Sequence, residues 1–133
     1  MRKRFFWLAF SLASLMVGAM LYGIYRRDTH IGGFVGHFIP ATLPVNGIAS
    51  AFLAFYLPDY LWMFSMSCAL FAVLLPKGRE LLFLCCLSLS IGVLWELLQQ
   101  WEVISGTADI HDVIMYSMAV ISAAIINKLR KEE

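Results

Sequence analysis

The chain has 133 residues, of which 61% are hydrophobic and 14% are charged, and its formal net charge is +1. Soluble domains usually have about 45–50% apolar and about 25% charged residues, and a globule this small leaves much of its surface in water. The composition therefore excludes an ordinary soluble domain and favours a protein solvated by lipid. The nearly neutral charge gives no electrostatic basis for binding nucleic acid.

The first apolar run covers residues 5–25 and is flanked by basic residues on both sides. Its length matches the roughly 20 residues that a helix needs to cross the hydrocarbon core of a bilayer. A signal peptide also combines a basic start with an apolar run, but its apolar core usually has only about 7–15 residues. We therefore predict a first transmembrane helix here.

Residues 30–57 form an apolar segment that glycines and prolines interrupt. These are Gly32, Gly33, Gly36, Pro40, Pro44 and Gly47. Proline breaks helices, and irregular backbone at membrane depth must be covered by protein or line water. We predict a short helix at residues 44–56 that either re-enters the membrane or lies at its interface. Asp59 is then expected to cap the next helix.

Three further spans are predicted at residues 60–75, 80–101 and 109–127. The fold class is therefore all-α: an integral membrane bundle of four transmembrane helices plus a short re-entrant or interfacial helix. Residues 1–133 form one transmembrane domain. Small residues in the first and last spans, such as Gly18 and Ala123, favour close packing of the helices.

The basic residues predict how the bundle is oriented. With four spans and the N-terminus inside, the outer side holds only Arg26 and Arg27. The inner side holds Arg2, Lys3, Arg4, Lys77, Arg79, Lys128, Arg130 and Lys131. Because Lys and Arg accumulate on the cytoplasmic side of membrane proteins, we predict that both termini lie inside.

Glu96 is the first candidate for a functional residue, because an ionisable side chain within a span is costly and usually faces the bundle interior. Gln99 follows three residues later, on the same face of the helix. The loop and the start of the last span add further polar candidates: Thr107, Asp109, His111 and Asp112. Two interpretations stay open. The groups link helices and cap the last one, as Thr107 or Asp109 would, or they form an outward-facing site.

Other chemistry has less support in the sequence. His37 is a weaker candidate for the same site, because it lies in the broken segment that should approach the bundle. Oxygen-rich groups suit Ca²⁺ or Mg²⁺, but the spacing of the carboxylates matches no known ligand pattern. We therefore predict no metal site and no cofactor.

The segment Glu96-Leu97-Leu98-Gln99, followed by residues 106–112, resembles the signature of the VanZ-like family of small membrane proteins. That signature has Glu-x-x-Gln in a late span, a short polar loop and Asp-x-x-Asp at the start of the last span. The resemblance covers about residues 57–127, and Thr107 stands where the family often has arginine. It implies a bacterial cytoplasmic-membrane protein of the cell envelope. It also implies a link to glycopeptide antibiotic resistance, with which the name-giving member is associated.

Three functions stay open at this point. The first is an outward-facing pocket that binds a lipid head group, a lipid-linked envelope precursor or a cation. The second is an intramembrane enzyme for a lipid-linked substrate, with Glu96 or Asp109 as general base and His37 or His111 assisting. The third is a small transporter or channel subunit, which would need a homo-oligomer because the chain is too short for paired inverted halves. Membrane lipids are the expected partners.

Overall fold

The computed structural model describes residues 1–39 and 42–130, so the predictions that involve Pro40 and Lys131 lie outside the described residues. Within these ranges the regular structure is entirely helical. The five helices are α1 (Arg2–Tyr25), α2 (His30–Gly36), α3 (Ile48–Leu74), α4 (Arg79–Gln100) and α5 (Ile110–Leu129). All except α2 are long and apolar enough to span a membrane. The predicted all-α bundle with four spans is confirmed.

Helix α3 begins at Ile48 and not at residue 60, so the prediction of a short helix at residues 44–56 separate from the next span is wrong. A π-helical turn over Phe52–Tyr56 precedes Pro58, and the N–H of Leu57 donates to the carbonyl oxygen of Phe52, five residues back. This wider turn accommodates a ring that would otherwise clash with the carbonyl of the preceding turn. Asp59 consequently lies within a continuous helix and does not cap it.

The short helix of the broken segment is instead α2, whose N-terminus is capped by Thr29. The Oγ1 atom of Thr29 accepts a hydrogen bond from the N–H of Gly32 at 3.1 Å. Gly32 also lies directly on the last carbonyls of α1, where a Cβ atom would overlap the carbonyl oxygen of Arg26. Glycine at this position therefore allows α2 to pack across the end of α1.

Helix α3 is the centre of the bundle and packs against α1 on one side and α5 on the other. The Trp7 ring of α1 meets the Phe71 ring of α3 edge-on, with 5.3 Å between centroids. About one turn further along α1, the hydroxyl groups of Ser11 and Ser65 lie 3.1 Å apart. Aromatic contacts and a polar pair thus fix the register of α1 and α3.

Helix α4 contributes only a narrow stripe to the interior. Its buried residues recur every three or four positions: Leu81, Leu84, Ser88, Gly92 and Glu96. The stripe faces α5, where Ala119 and Ala123 are fully buried, and small residues on both sides let the helices approach closely. In the described structure α4 does not pack against α1. A gap therefore remains between these two helices, and α3 forms its inner wall.

The start of α1 and the end of α5 lie at the same end of the bundle, here called the basic end. Lys3, Lys77 and Arg130 line one cavity there, and the Arg130 guanidinium lies 3.6 Å from the centroid of the Phe6 ring. The opposite end, with α2 and residues 101–109, is called the loop end. This arrangement agrees with an even number of membrane crossings. The orientation of the basic end toward the cytoplasm stays a prediction from the charge count.

The first turn of α3 extends past the end of α1 and the start of α5. The Arg26 guanidinium lies 5.7 Å from the centroid of the Phe55 ring, and the Tyr56 and His111 rings are 5.7 Å apart. Phe55 and Tyr56 therefore mark the level at which α1 ends and α5 begins. Ile48 precedes that level by two turns and is 91% exposed. Asp59 lies about one turn deeper in the bundle than Phe55.

Candidate functional site

Glu96 connects α4 to α5 and to the loop before it. Its side chain is buried, with 7% exposure. Oε1 accepts a hydrogen bond from the hydroxyl of Tyr116 at 2.8 Å, and Oε2 accepts one from the backbone N–H of Asp109 at 3.1 Å. Both carboxylate oxygens therefore bind groups of the chain itself, as the helix-linking interpretation of Glu96 expects.

Gly92 makes room for the tyrosine that reaches Glu96. A Cβ atom at Gly92 would lie 2.7 Å from both Met63 Cε and Tyr116 Cδ2, closer than such atoms can approach. The Tyr116 ring therefore rests directly on the backbone of α4, one turn from Glu96. No role was predicted for Gly92 or Tyr116 from the sequence. The four-residue spacing of Ser88, Gly92 and Glu96 is the signal that indicates this close-packed face.

Gln99 packs against the loop and not into a site. Gly106 has a φ of +140°, and a Cβ atom there would overlap the side-chain amide of Gln99. Glu102 also has a positive φ, of +56°, which ends α4 and turns the chain so that the N–H of Val103 donates to Leu98 O at 2.9 Å. The loop conformation thus depends on the absence of a Cβ atom at Gly106, which leaves room for the side-chain amide of Gln99.

We expect Gly106→Ala to destabilise the folded protein by about 1–3 kcal/mol, because it combines a strained φ with an overlap. Thermal unfolding in detergent and hydrogen exchange of residues 101–109 would measure the change. Gly47→Ala is the matched control, because Gly47 also has a positive φ, of +95°, but no atom lies near its missing Cβ. Equal losses in the two variants would show that packing on Gln99 contributes nothing.

Asp109 caps α5, so this part of the capping prediction is confirmed. Its Oδ1 accepts a hydrogen bond from the backbone N–H of His111 at 2.9 Å and lies 2.7 Å from Nδ1 of the same residue. The backbone N–H and the imidazole of His111 lower the pKa of Asp109 below its usual value, because both favour the ionised carboxylate. Both side chains are exposed, and the pair lies outside the buried network of Glu96.

Asp112 meets Asp59, and this pair was not predicted. The two carboxyl groups, on α5 and α3, are close enough to interact electrostatically. Glu96 and Arg26 are both near enough to interact electrostatically with each of them. Asp59 was expected to cap a helix because it follows a proline. The continuous helix instead carries it to the bundle interior, where it is partly buried.

Two of the predicted site residues stay apart from these carboxyl groups. Nδ1 of His37 lies 2.7 Å from the carbonyl oxygen of Gly33, within α2, and the side chain is exposed. Thr107 is exposed in the loop. Of the other five candidates, Glu96 and Asp112 are in electrostatic range of each other, and the backbone of Asp109 bonds to Glu96. His111 lies beside the Asp109 side chain, and Gln99 on α4 packs against Gly106 of the loop.

The gap between α1, α3 and α4 forms a cavity of about 550 Å³, here called the lateral cavity. Its polar lining is Tyr22, Asp59, Ser65 and Tyr116. Its walls are otherwise apolar: Leu15, Ile31, Trp62, Met63, Met66, Ile91, Gly92 and Trp95. Tyr22 lies near the end of α1, and Asp59 lies about one turn deeper than Phe55, so the cavity has a polar end toward the loop end and mostly apolar walls beyond it. That combination is typical of sites for amphipathic ligands.

The described residues contain no group of three histidine, cysteine or acidic side chains that could hold a metal ion. No protein-family model, curated protein or solved structure matches the chain.

Proposed function

We propose that this chain is a VanZ-like integral membrane protein of the bacterial cell envelope that binds an amphipathic lipid in the lateral cavity. The observation that carries the proposal is the cavity itself, which has apolar walls and the carboxyl group of Asp59 at its polar end. A lipid chain would lie along Leu15, Met66 and Ile91, and its head group would lie beside Asp59. The apolar walls suit an acyl chain as well as the surrounding lipid does, so pairing of the polar head group with Asp59 provides the preference for this place.

The charges at the polar end indicate which head group fits. Asp59 and Asp112 share one location, and Arg26 is the cation that the described structure brings into electrostatic range of Asp59. A buried carboxylate is stabilised by a partner that donates hydrogen bonds or carries positive charge. The ammonium group of an amine-bearing phospholipid would supply both to Asp59, and the phosphate would lie toward Arg26. Phosphatidylethanolamine has these parts.

A lipid-linked envelope precursor has related parts: a long apolar chain, phosphate, and a head group with hydroxyl and amine donors. If the basic end faces the cytoplasm, the polar end of the cavity opens toward the outer leaflet, where such precursors are used. We propose binding without turnover, because both oxygens of Glu96 bond to the chain and Asp109 acts as a helix cap. The link to glycopeptide resistance would then operate through the supply of an envelope lipid.

We expect Asp59→Asn to weaken binding of phosphatidylethanolamine about tenfold, since a hydrogen bond to a charged group contributes about 1.5–3 kcal/mol. Native mass spectrometry of the purified full chain, titrated with phosphatidylethanolamine or phosphatidylglycerol, would measure the affinities. Asp28→Asn is the charge-matched control, because Asp28 is exposed in the turn after α1 and does not line the cavity. Binding of phosphatidylglycerol should change little in either variant.

A second pair of variants tests the apolar part of the cavity. Ile91→Trp would fill the cavity and should weaken binding of any two-chain lipid, whereas Val93→Trp, equally exposed on the same helix, should not. If both tryptophan variants and Asp59→Asn bind phosphatidylethanolamine like the original chain, the lateral cavity is not a lipid site.

A further inference from the structure

The cavity at the basic end combines three cations that are far apart in the sequence. Lys3 comes from the start of α1, Lys77 from the turn between α3 and α4, and Arg130 from the end of α5. Together they line a cavity of about 190 Å³. Basic residues from three separate elements therefore meet around one cavity.

The walls of this cavity are held by contacts of their own. Pro76 is fully buried, and its carbonyl oxygen accepts a hydrogen bond from Nδ2 of the buried Asn127 at 3.3 Å. Trp7, also in the lining, is 3% exposed and packs on Phe71. Arg130 is positioned by its stacking on Phe6. The cavity thus keeps its shape because its lining belongs to the packed core.

The charge of the cavity is not neutralised within the described chain. No described carboxylate forms an ion pair with Lys3, Lys77 or Arg130. Glu80 is the nearest acidic group along the turn, and it accepts a hydrogen bond from the backbone N–H of Lys77 at 3.1 Å. Three like charges around one cavity repel one another, so an anion bound among them would be stabilised by all three.

We infer that this cavity binds the phosphodiester of an anionic phospholipid in the leaflet at the basic end. The neighbouring helix surfaces are apolar and exposed, with Phe5 at 75% and Leu74 at 56%, so acyl chains would continue along them. Basic pockets between spans are the usual head-group sites for such lipids. This site lies at the other end of the bundle from the lateral cavity and does not rest on the function proposed above.

The test is binding of cardiolipin and phosphatidylglycerol to the full chain in phosphatidylcholine nanodiscs. Lys77→Gln and Arg130→Gln should each weaken binding about fivefold, the effect of one basic residue near a charged lipid surface. Arg79→Gln and Lys128→Gln are the controls, because these basic residues lie at the same end but do not line the cavity. Thermal unfolding without anionic lipid verifies that each variant is folded.

Two results would overturn the inference. Equal losses in Arg79→Gln and Lys77→Gln would mean that the whole basic end attracts anionic lipid without a defined site. Inorganic phosphate that displaces the lipid at equal concentration, and that raises the unfolding temperature as much, would show a site for free phosphate. Selective loss in the Lys77 and Arg130 variants, with no effect of phosphate, is the expected result.

Discussion

Replacing Glu96 with alanine is expected to lower the free energy of unfolding by about 2–3 kcal/mol, because it leaves the Tyr116 hydroxyl and the Asp109 N–H without their acceptor. Hydrogen bonds between spans contribute only about 0.6 kcal/mol on average, since partners are also found in the unfolded state. We expect a larger loss here because one side chain accepts two bonds, and one of the two donors fixes the loop. Reversible unfolding in mixed micelles would measure the difference.

Two further variants separate the bonds. Tyr116→Phe removes one donor and keeps the ring on Gly92, and Glu96→Gln keeps one acceptor oxygen. In a double-mutant cycle the two changes should not add, because they affect the same hydrogen bond. Leu97→Ala, at the exposed neighbouring position, is the control for truncating a side chain of α4. If Glu96→Ala destabilises no more than Leu97→Ala, Glu96 does not link the helices.

Replacing Gly32 with alanine is expected to displace α2 from the end of α1 and to destabilise the protein by about 3 kcal/mol, the upper part of the usual range for overpacking. The added Cβ would meet backbone atoms of Arg26 and Tyr22, which cannot move aside as a flexible side chain does. Because Ile31 lines the lateral cavity, lipid binding should weaken as well. Thermal unfolding and the lipid titration described above would measure both effects.

The adjacent Gly33 provides the matched control. A Cβ atom there would approach no atom more closely than 3.4 Å, the carbonyl oxygen of Arg27, so Gly33→Ala should be nearly neutral. Comparable losses in the two variants would indicate that alanine disturbs α2 through its backbone preference and that the contact of Gly32 with α1 is unimportant.

Much of the fold follows from hydropathy, because a span in lipid must satisfy its own backbone hydrogen bonds and therefore appears as a long apolar run. The start of α3 could not be predicted in this way. Proline ordinarily ends a helix, and the π-helical turn that carries the helix through Pro58 shows no hydropathy signal. The wrong role for Asp59 follows from the same cause, since a residue after a supposed break is expected to be a cap.

The sequence predicted only those parts of the site that a single residue type indicates. An ionisable Glu96 within a span indicated the bundle interior, and Asp109 before α5 indicated a cap. The tyrosine that bonds to Glu96 was not recognised, because an aromatic residue in a span can equally face lipid. The lateral cavity depends on the spatial order of the helices. It exists because α4 joins the bundle through α5, and hydropathy does not encode that order.

The projecting start of α3 determines how deeply the protein sits in its membrane. A helix of 27 residues is about 40 Å long, whereas the hydrocarbon core of a bilayer is about 30 Å thick. Its start exposes Ile48 and Phe52, which precede the level of Phe55 at which α1 ends. This hydrophobic mismatch favours a locally thicker leaflet around one side of the bundle, and thinning that leaflet would expose these apolar residues to water.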